Sequence, residues 1–209
     1  MNTVELLGGL SHGILIVVGS GKMGKSCAGH TIASLFWSHR PKYFLDPEDI
    51  DISIFPGYVH VKDTIAIPPG SVIFIEDVNR LFASRSSSNK SAIQKWLTAV
   101  SQKDYVVVLT TQSFADTDMA FARSQNTIFV HKCMWHDDIA FERPELQLQQ
   151  VAANIAIDEY SMKHPEIDRR SICYCPRYGD LLILPIVEWW TDGVHSHIFR
   201  SVPLSLMSQ

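Results

Sequence analysis

At 209 residues, 46% of them hydrophobic, the chain is long enough to bury one sizeable core. Its formal net charge of −4 excludes the global basic field of many nucleic-acid binders, so any such contact must come from a local patch or from repeated copies of one. No apolar run approaches the roughly 20 residues that cross a bilayer, and four cysteines behind an N-terminus with no basic leader point to a reducing, intracellular compartment.

Apolar runs alternate with helical stretches, the pattern of an α/β protein with a mainly parallel sheet. The first run, 14–18 (ILIVV), leads through "GSGKMGKS" into a helix over 25–38. A short strand at 43–45 ends in Asp46, and residues 46–70, with four prolines, read as an irregular connection. The run 71–75 ends in Glu76 and Asp77. A Ser-rich loop, 83–91 (ASRSSSNKS), then carries Arg85 and Lys90. A helix over 91–101 precedes a strand at 105–110 that runs into Thr111 and Gln112. A helix over 116–123, a strand at 127–131 and a helix over 145–163 come next, then strands at 172–175 and 181–187. These runs are continuous rather than alternating, as in strands covered on both faces. One domain is expected over 1–209. Its core lies at about 12–160, with 165–209 a sheet extension or small appendage.

The glycine-rich turn fits two motifs. Gly19, Gly21 and Gly24 spell G-x-G-x-x-G, a dinucleotide fingerprint that asks for an acid about 20 residues on, where Asp46 stands. Gly19, Gly24, Lys25 and Ser26 spell the P-loop, G-x-x-x-x-G-K-[ST]. In that reading Gly19, Ser20, Gly21, Lys22, Met23, Gly24, Lys25, Ser26 and Cys27 cradle the phosphates of ATP. Lys25 supplies a point charge and the Ser26 hydroxyl meets Mg²⁺. The P-loop further requires an apolar strand ending in an acid, and "SVIFIED" supplies one. Gln112, at the tip of a third strand, can reach a γ-phosphate or an attacking water. Three elements in the right order favour the P-loop.

Strand, P-loop, acidic-pair strand and a strand ending in Thr-Gln resemble the additional-strand P-loop ATPases of the FtsK/HerA superfamily. The run "TTQSFADTDMAFARSQNTIFVHK…FERPE" resembles the genome-packaging NTPases of membrane-containing, double-jelly-roll viruses of the Sulfolobus turreted icosahedral type. The resemblance covers about residues 12–160. It implies a three-layer α/β/α P-loop domain with a mainly parallel sheet. It also implies ATP hydrolysis with Mg²⁺ coupled to translocation of double-stranded DNA into a capsid. The assembly would be a homo-oligomeric ring, hexameric or pentameric, at a packaging vertex or in the host cytoplasm, with a capsid or membrane protein as a further partner. By position Glu76 helps hold Mg²⁺ and Asp77 activates water, although the family's usual order is Asp then Glu. Arg123 is the candidate arginine finger, with Arg143 and Arg80 as rivals. Larger members often carry an arginine before the Gln-ended strand, where this chain reads Ser101, Gln102, Lys103.

Other readings stand beside these. The function is otherwise that of a filamentous-phage assembly or conjugation motor, or of a switch or scaffold that hydrolyses ATP slowly. Arg85 and Lys90 form either a DNA-facing loop or a solvated one. His131, Cys133 and His136, with Cys173 and Cys175, match no standard zinc spacing. Trp189, Trp190 and Tyr178 either stack on bases or belong to the core.

Overall fold

The computed structural model describes residues 1–78, 89–115, 119–124 and 126–195. Its strands are β1 (Gly13–Val18), β2 (Lys42–Leu45), β3 (Tyr58–Val61), β4 (Val72–Ile75), β5 (Val106–Thr111), β6 (Thr127–His131), β7 (Ile172–Cys175) and β8 (Asp180–Ile183). The helices are α1 (Thr3–Gly8), α2 (Lys25–Phe36), α3 (Asn89–Gln102), α4 (Met119–Ala122), α5 (His136–Ala140), α6 (Pro144–Lys163) and α7 (Asp192–His195).

The strands form one sheet in the order β3-β2-β4-β5-β1-β6-β7-β8. The first six run parallel, and β7 and β8 close the far edge antiparallel. Of the residues after 165, 172–175 and 180–183 therefore extend the sheet. The expected strand at 181–187 stops at Ile183, where the chain turns toward Pro185. The connection 46–70 is less irregular than expected, because it contains β3, a short parallel edge strand beside β2.

The sheet is covered on both faces, which explains the continuous apolar runs. Alternate residues point opposite ways along a strand. Leu15, Val17, Phe74 and Val108 pack in one core with Ala28, Ile32 and Trp37 of and next to α2. Ile14, Ile16, Ile75 and Leu109 pack in another with Ile93, Phe121 and Leu146 of α3, α4 and α6. The result is the three-layer α/β/α sandwich. Within it β5 is inserted between β1, which leads into the glycine-rich turn, and β4, which ends in the acidic pair.

Candidate nucleotide site

The glycine-rich turn leaves β1 at the carboxyl edge of the sheet, where open α/β sheets bind ligands. Its neighbours fix it. Lys132 donates its N–H to the Val18 carbonyl at 2.8 Å, and Ser20 donates to the Cys133 carbonyl at 3.1 Å. Gly19 has φ of 156°, and a Cβ there would lie 2.7 Å from the Lys132 Cβ and 2.9 Å from the Cys133 carbonyl, so no larger residue fits. Gly24 ends the turn at φ 77° as the N-cap of α2 and brings no side-chain cap. The first N–H groups of α2 are thus left for a ligand, at the positive end of the helix dipole.

Lys25 and Ser26 open α2 from this cap. The Lys25 ammonium donates to the Ser20 carbonyl at 2.9 Å. Burial pulls its pKa down to about 8, against the opposing pull of Asp77, Glu76 and Asp138. The Ser26 hydroxyl donates to the Glu76 carboxylate, joining the P-loop helix to the acidic strand. Hydroxyl and carboxylate together form an oxygen donor pair of the kind a hard divalent cation takes. Asp77 sits next in a left-handed conformation, φ 52°, its N–H donating to the Thr110 hydroxyl at 3.1 Å. Gln112 is exposed beyond the end of β5. Its amide oxygen lies 4.0 Å from where a Cβ on Gly21 would stand. Met23 packs beside Ile157 and Ile172, and Cys27 is buried behind the loop.

This arrangement removes the dinucleotide reading. That reading needs the acid after the second strand beside the first. Here Asp46 ends β2, and β4 and β5 lie between β2 and β1. Three strand spacings put it about 14 Å away across the sheet. Its carboxylate instead takes the Glu48 N–H at 2.9 Å, as an acid opening a turn does.

Arg123 is exposed at the end of α4. It stands three residues before Asn126, whose carbonyl receives the Ile14 N–H at the start of β1. The P-loop lies at the other end of that strand, about 20 Å away. Arg123 therefore cannot serve the P-loop of its own chain. Arg143 is spent on backbone: its guanidinium donates to the Phe114 carbonyl at 3.2 Å and the Ala115 carbonyl at 3.0 Å. Arg80 and Arg85 lie outside the described residues. Lys90 falls in the first turn of α3, and its side chain is likewise outside them.

The two tryptophans and the cysteines pack in or against the core, while Tyr178 is half-buried in the turn between β7 and β8. Trp189 and Trp190 sit partly buried against the cluster around His30, with ring centroids 5.4 and 6.1 Å from the imidazole. His131 pairs with the Gln150 amide at 2.7 Å and is held by burial to a pKa of about 4. The Lys132 ammonium reaches Cys173 at 3.5 Å.

Sequence reasoning misses four contributors. Asp138 takes the Ser20 hydroxyl, and Glu142 takes the Phe114 N–H at 2.7 Å. Arg170 lies against Gly24, its carbonyl 3.0 Å from where a Cβ would be. The buried Lys132 ammonium holds it there, donating to the Arg170 carbonyl and, at 2.8 Å, to that of Ile172. Glu142 and Arg143 stand in "FERPE", so the resemblance marks the place without giving the role.

No protein-family model matches the chain, and no curated protein matches it. Solved structures do. The genome packaging NTPase B204 from Sulfolobus turreted icosahedral virus 2, in complex with ATP-gammaS, is 15% identical with a TM-score of 0.53, over 85% of this chain and 99% of that one. The DNA-packaging ATPase B204 from Sulfolobus turreted icosahedral virus is 14% identical with a TM-score of 0.52, over 84% of this chain and 98% of that one. At such identity the likeness is one of architecture: the chain has the α/β P-loop NTPase fold that these structures display.

Proposed function

We propose that the chain is a Mg²⁺-dependent ATPase that drives double-stranded DNA into a viral capsid as a homo-oligomeric ring. One observation carries the nucleotide reading. Three strand ends converge on the turn: Lys25 and Ser26 after β1, Glu76 and Asp77 after β4, and Gln112 after β5. Nothing in core packing requires a lysine, a hydroxyl and a carboxylate to meet there. A triphosphate with its cation does require them. The likeness to packaging NTPases, one solved with ATP-gammaS, supports the choice of ligand and of work done.

In this reading the N–H groups of the turn from Gly21 to Ser26 hold the phosphates, those of Gly19 and Ser20 being bonded to the Thr111 and Cys133 carbonyls, and Lys25 leaves the Ser20 carbonyl to meet the β/γ-phosphates. Ser26 and Glu76 would hold Mg²⁺, which when bound would offset the negative charge of the phosphates. Asp77 takes a proton from the attacking water, and Gln112 orients it at the γ-phosphate. Arg123 of one subunit reaches the γ-phosphate of its neighbour. Arg85 and Lys90, repeated around the ring, touch the DNA backbone without reading bases.

The test is ATP turnover with and without duplex DNA. The parent is expected to hydrolyse Mg-ATP and to speed up with DNA of any sequence. Lys25→Ala abolishes turnover. Arg85→Ala with Lys90→Ala keeps basal turnover, loses DNA stimulation and lowers the slope of log K against log salt by about 0.9 for each phosphate no longer neutralised. A parent that binds ATP yet gains nothing from DNA is a switch and not a motor.

A further inference from the structure

Residues 133–143 run past both halves of the nucleotide site and touch each at one end. At the near end, the Trp135 N–H donates to the Ser20 hydroxyl at 2.8 Å, and that hydroxyl donates to Asp138. At the far end, the Glu142 carboxylate is 5% exposed. It takes the Phe114 N–H at 2.7 Å, the Ser113 hydroxyl at 3.2 Å and the Arg143 N–H at 2.9 Å. Arg143 completes the grip through the carbonyls of Phe114 and Ala115. Residues 113–115 directly follow Gln112, whose amide oxygen lies 4.0 Å from where a Cβ on Gly21 of the P-loop would stand.

A buried carboxylate gripping a loop by its N–H, with a guanidinium on the adjoining carbonyls, fixes backbone with charge-assisted hydrogen bonds at both polarities. A hydrophobic plug would hold the same loop in place without setting its orientation. We propose that Glu142, with Arg143, is a positioning residue for Gln112: it sets where the Gln112 amide stands relative to the γ-phosphate. Asp138, at the other end of the same segment, sets the P-loop through Ser20. The two acids therefore control different steps. Asp138 governs how well phosphate is held, and Glu142 governs how fast it is cleaved. This assignment rests on the nucleotide reading of the site.

The experiment measures, for parent and variants, the Kd of Mg-ATPγS by calorimetry and the kcat of ATP hydrolysis. Glu142→Gln keeps one acceptor for Phe114 but turns an amide N–H toward donors. It is expected to lower kcat by about tenfold to a hundredfold, the cost of a misplacement near 1 Å, with Kd within about twofold. Asp138→Asn is expected to weaken Kd several-fold with kcat at saturation within about twofold. If Glu142→Gln melts early, Arg143→Lys serves. It keeps the charge and loses the two-carbonyl fork, and it is expected to lower kcat in the same selective way. Loss of affinity equal to the loss of rate in the folded variants, or no effect on rate, overturns the assignment. A parent that neither binds ATPγS nor hydrolyses ATP overturns the nucleotide reading instead.

Discussion

Lys25 donates to the Ser20 carbonyl, and burial brings its pKa from 10.5 down to about 8. Above about 8 the lysine is mostly neutral in the folded chain and still charged in the unfolded one. The unfolded state then binds more protons, so the folded chain gains stability as pH rises from about 8 toward 10.5. Phosphate reverses the preference, because it favours the charged amine. Nucleotide binding at pH 9 should therefore take up most of a proton, and at pH 7 almost none from this group. Affinity should fall above about pH 8, by up to about tenfold per pH unit. Calorimetry of ADP binding in two buffers of different ionisation enthalpy reads this directly. Equal uptake at both pH values would place the titrating group elsewhere. The two acids make a second residue-scale test. Glu76 is tied to Ser26, and Asp77 is held by Thr110 in a left-handed turn. Asp77→Asn is expected to keep ATP bound and slow kcat by about 10²–10⁴, the typical worth of a positioned base. Glu76→Gln is expected to raise the Mg²⁺ requirement. The opposite pattern exchanges the roles.

Elements were legible to different degrees, for physical reasons. The P-loop must be contiguous, since its N–H groups and its lysine act on one phosphate chain, and so its spacing survives in the sequence. β4 and β5 are buried on both faces and write long apolar runs. β3 escapes because four edge residues between prolines write no periodicity. α1 carries a readable signal, the Asn2–Glu5 capping box, but spans six residues. Asp138 and Glu142 could not be read at all: they reach Ser20 and Phe114 across 118 and 28 positions. At this scale α2 packs tightly on the sheet. A Cβ on Gly29 would stand 3.0 Å from the Phe74 ring and 3.1 Å from Val108. Gly29→Val forces the P-loop helix off the acidic strand. It is expected to destabilise by about 1–3 kcal/mol, the usual cost of overpacking, seen as a lower denaturant midpoint with unchanged slope. Nucleotide affinity should fall with it, since Lys25 and Ser26 ride on the same helix.

For the whole molecule, the decisive fact is that Arg123 and the P-loop stand at opposite ends of β1. A subunit that cannot complete its own site with this arginine can lend it only to another. Subunits carrying Arg123→Ala and subunits carrying Lys25→Ala are each expected to be inactive alone. Mixed, they should recover part of the turnover, because the second can supply the arginine and the first the lysine. A finger of this kind is worth roughly 10³–10⁵ in rate where it operates. No recovery, with both variants still assembling in light scattering, removes Arg123 from the site. No helix among the described residues is long and apolar enough to cross a membrane.

The buried Lys132 ammonium has a consequence for how the fold opens. It ties the Arg170 and Ile172 carbonyls to the strand beside the P-loop, and Arg170 in turn lies against Gly24. The hairpin β7–β8 is an antiparallel addition at the sheet edge, which would ordinarily fray first. Tied in this way, it cannot peel away without stranding a charge in the interior and loosening the phosphate cradle. Amide hydrogens of residues 19–24 and 170–175 should therefore exchange with deuterium as a single cooperative unit. Bound nucleotide should slow both stretches together, although only the first would touch phosphate. In Lys132→Met the two stretches should exchange at separate rates, and nucleotide should then protect the first alone.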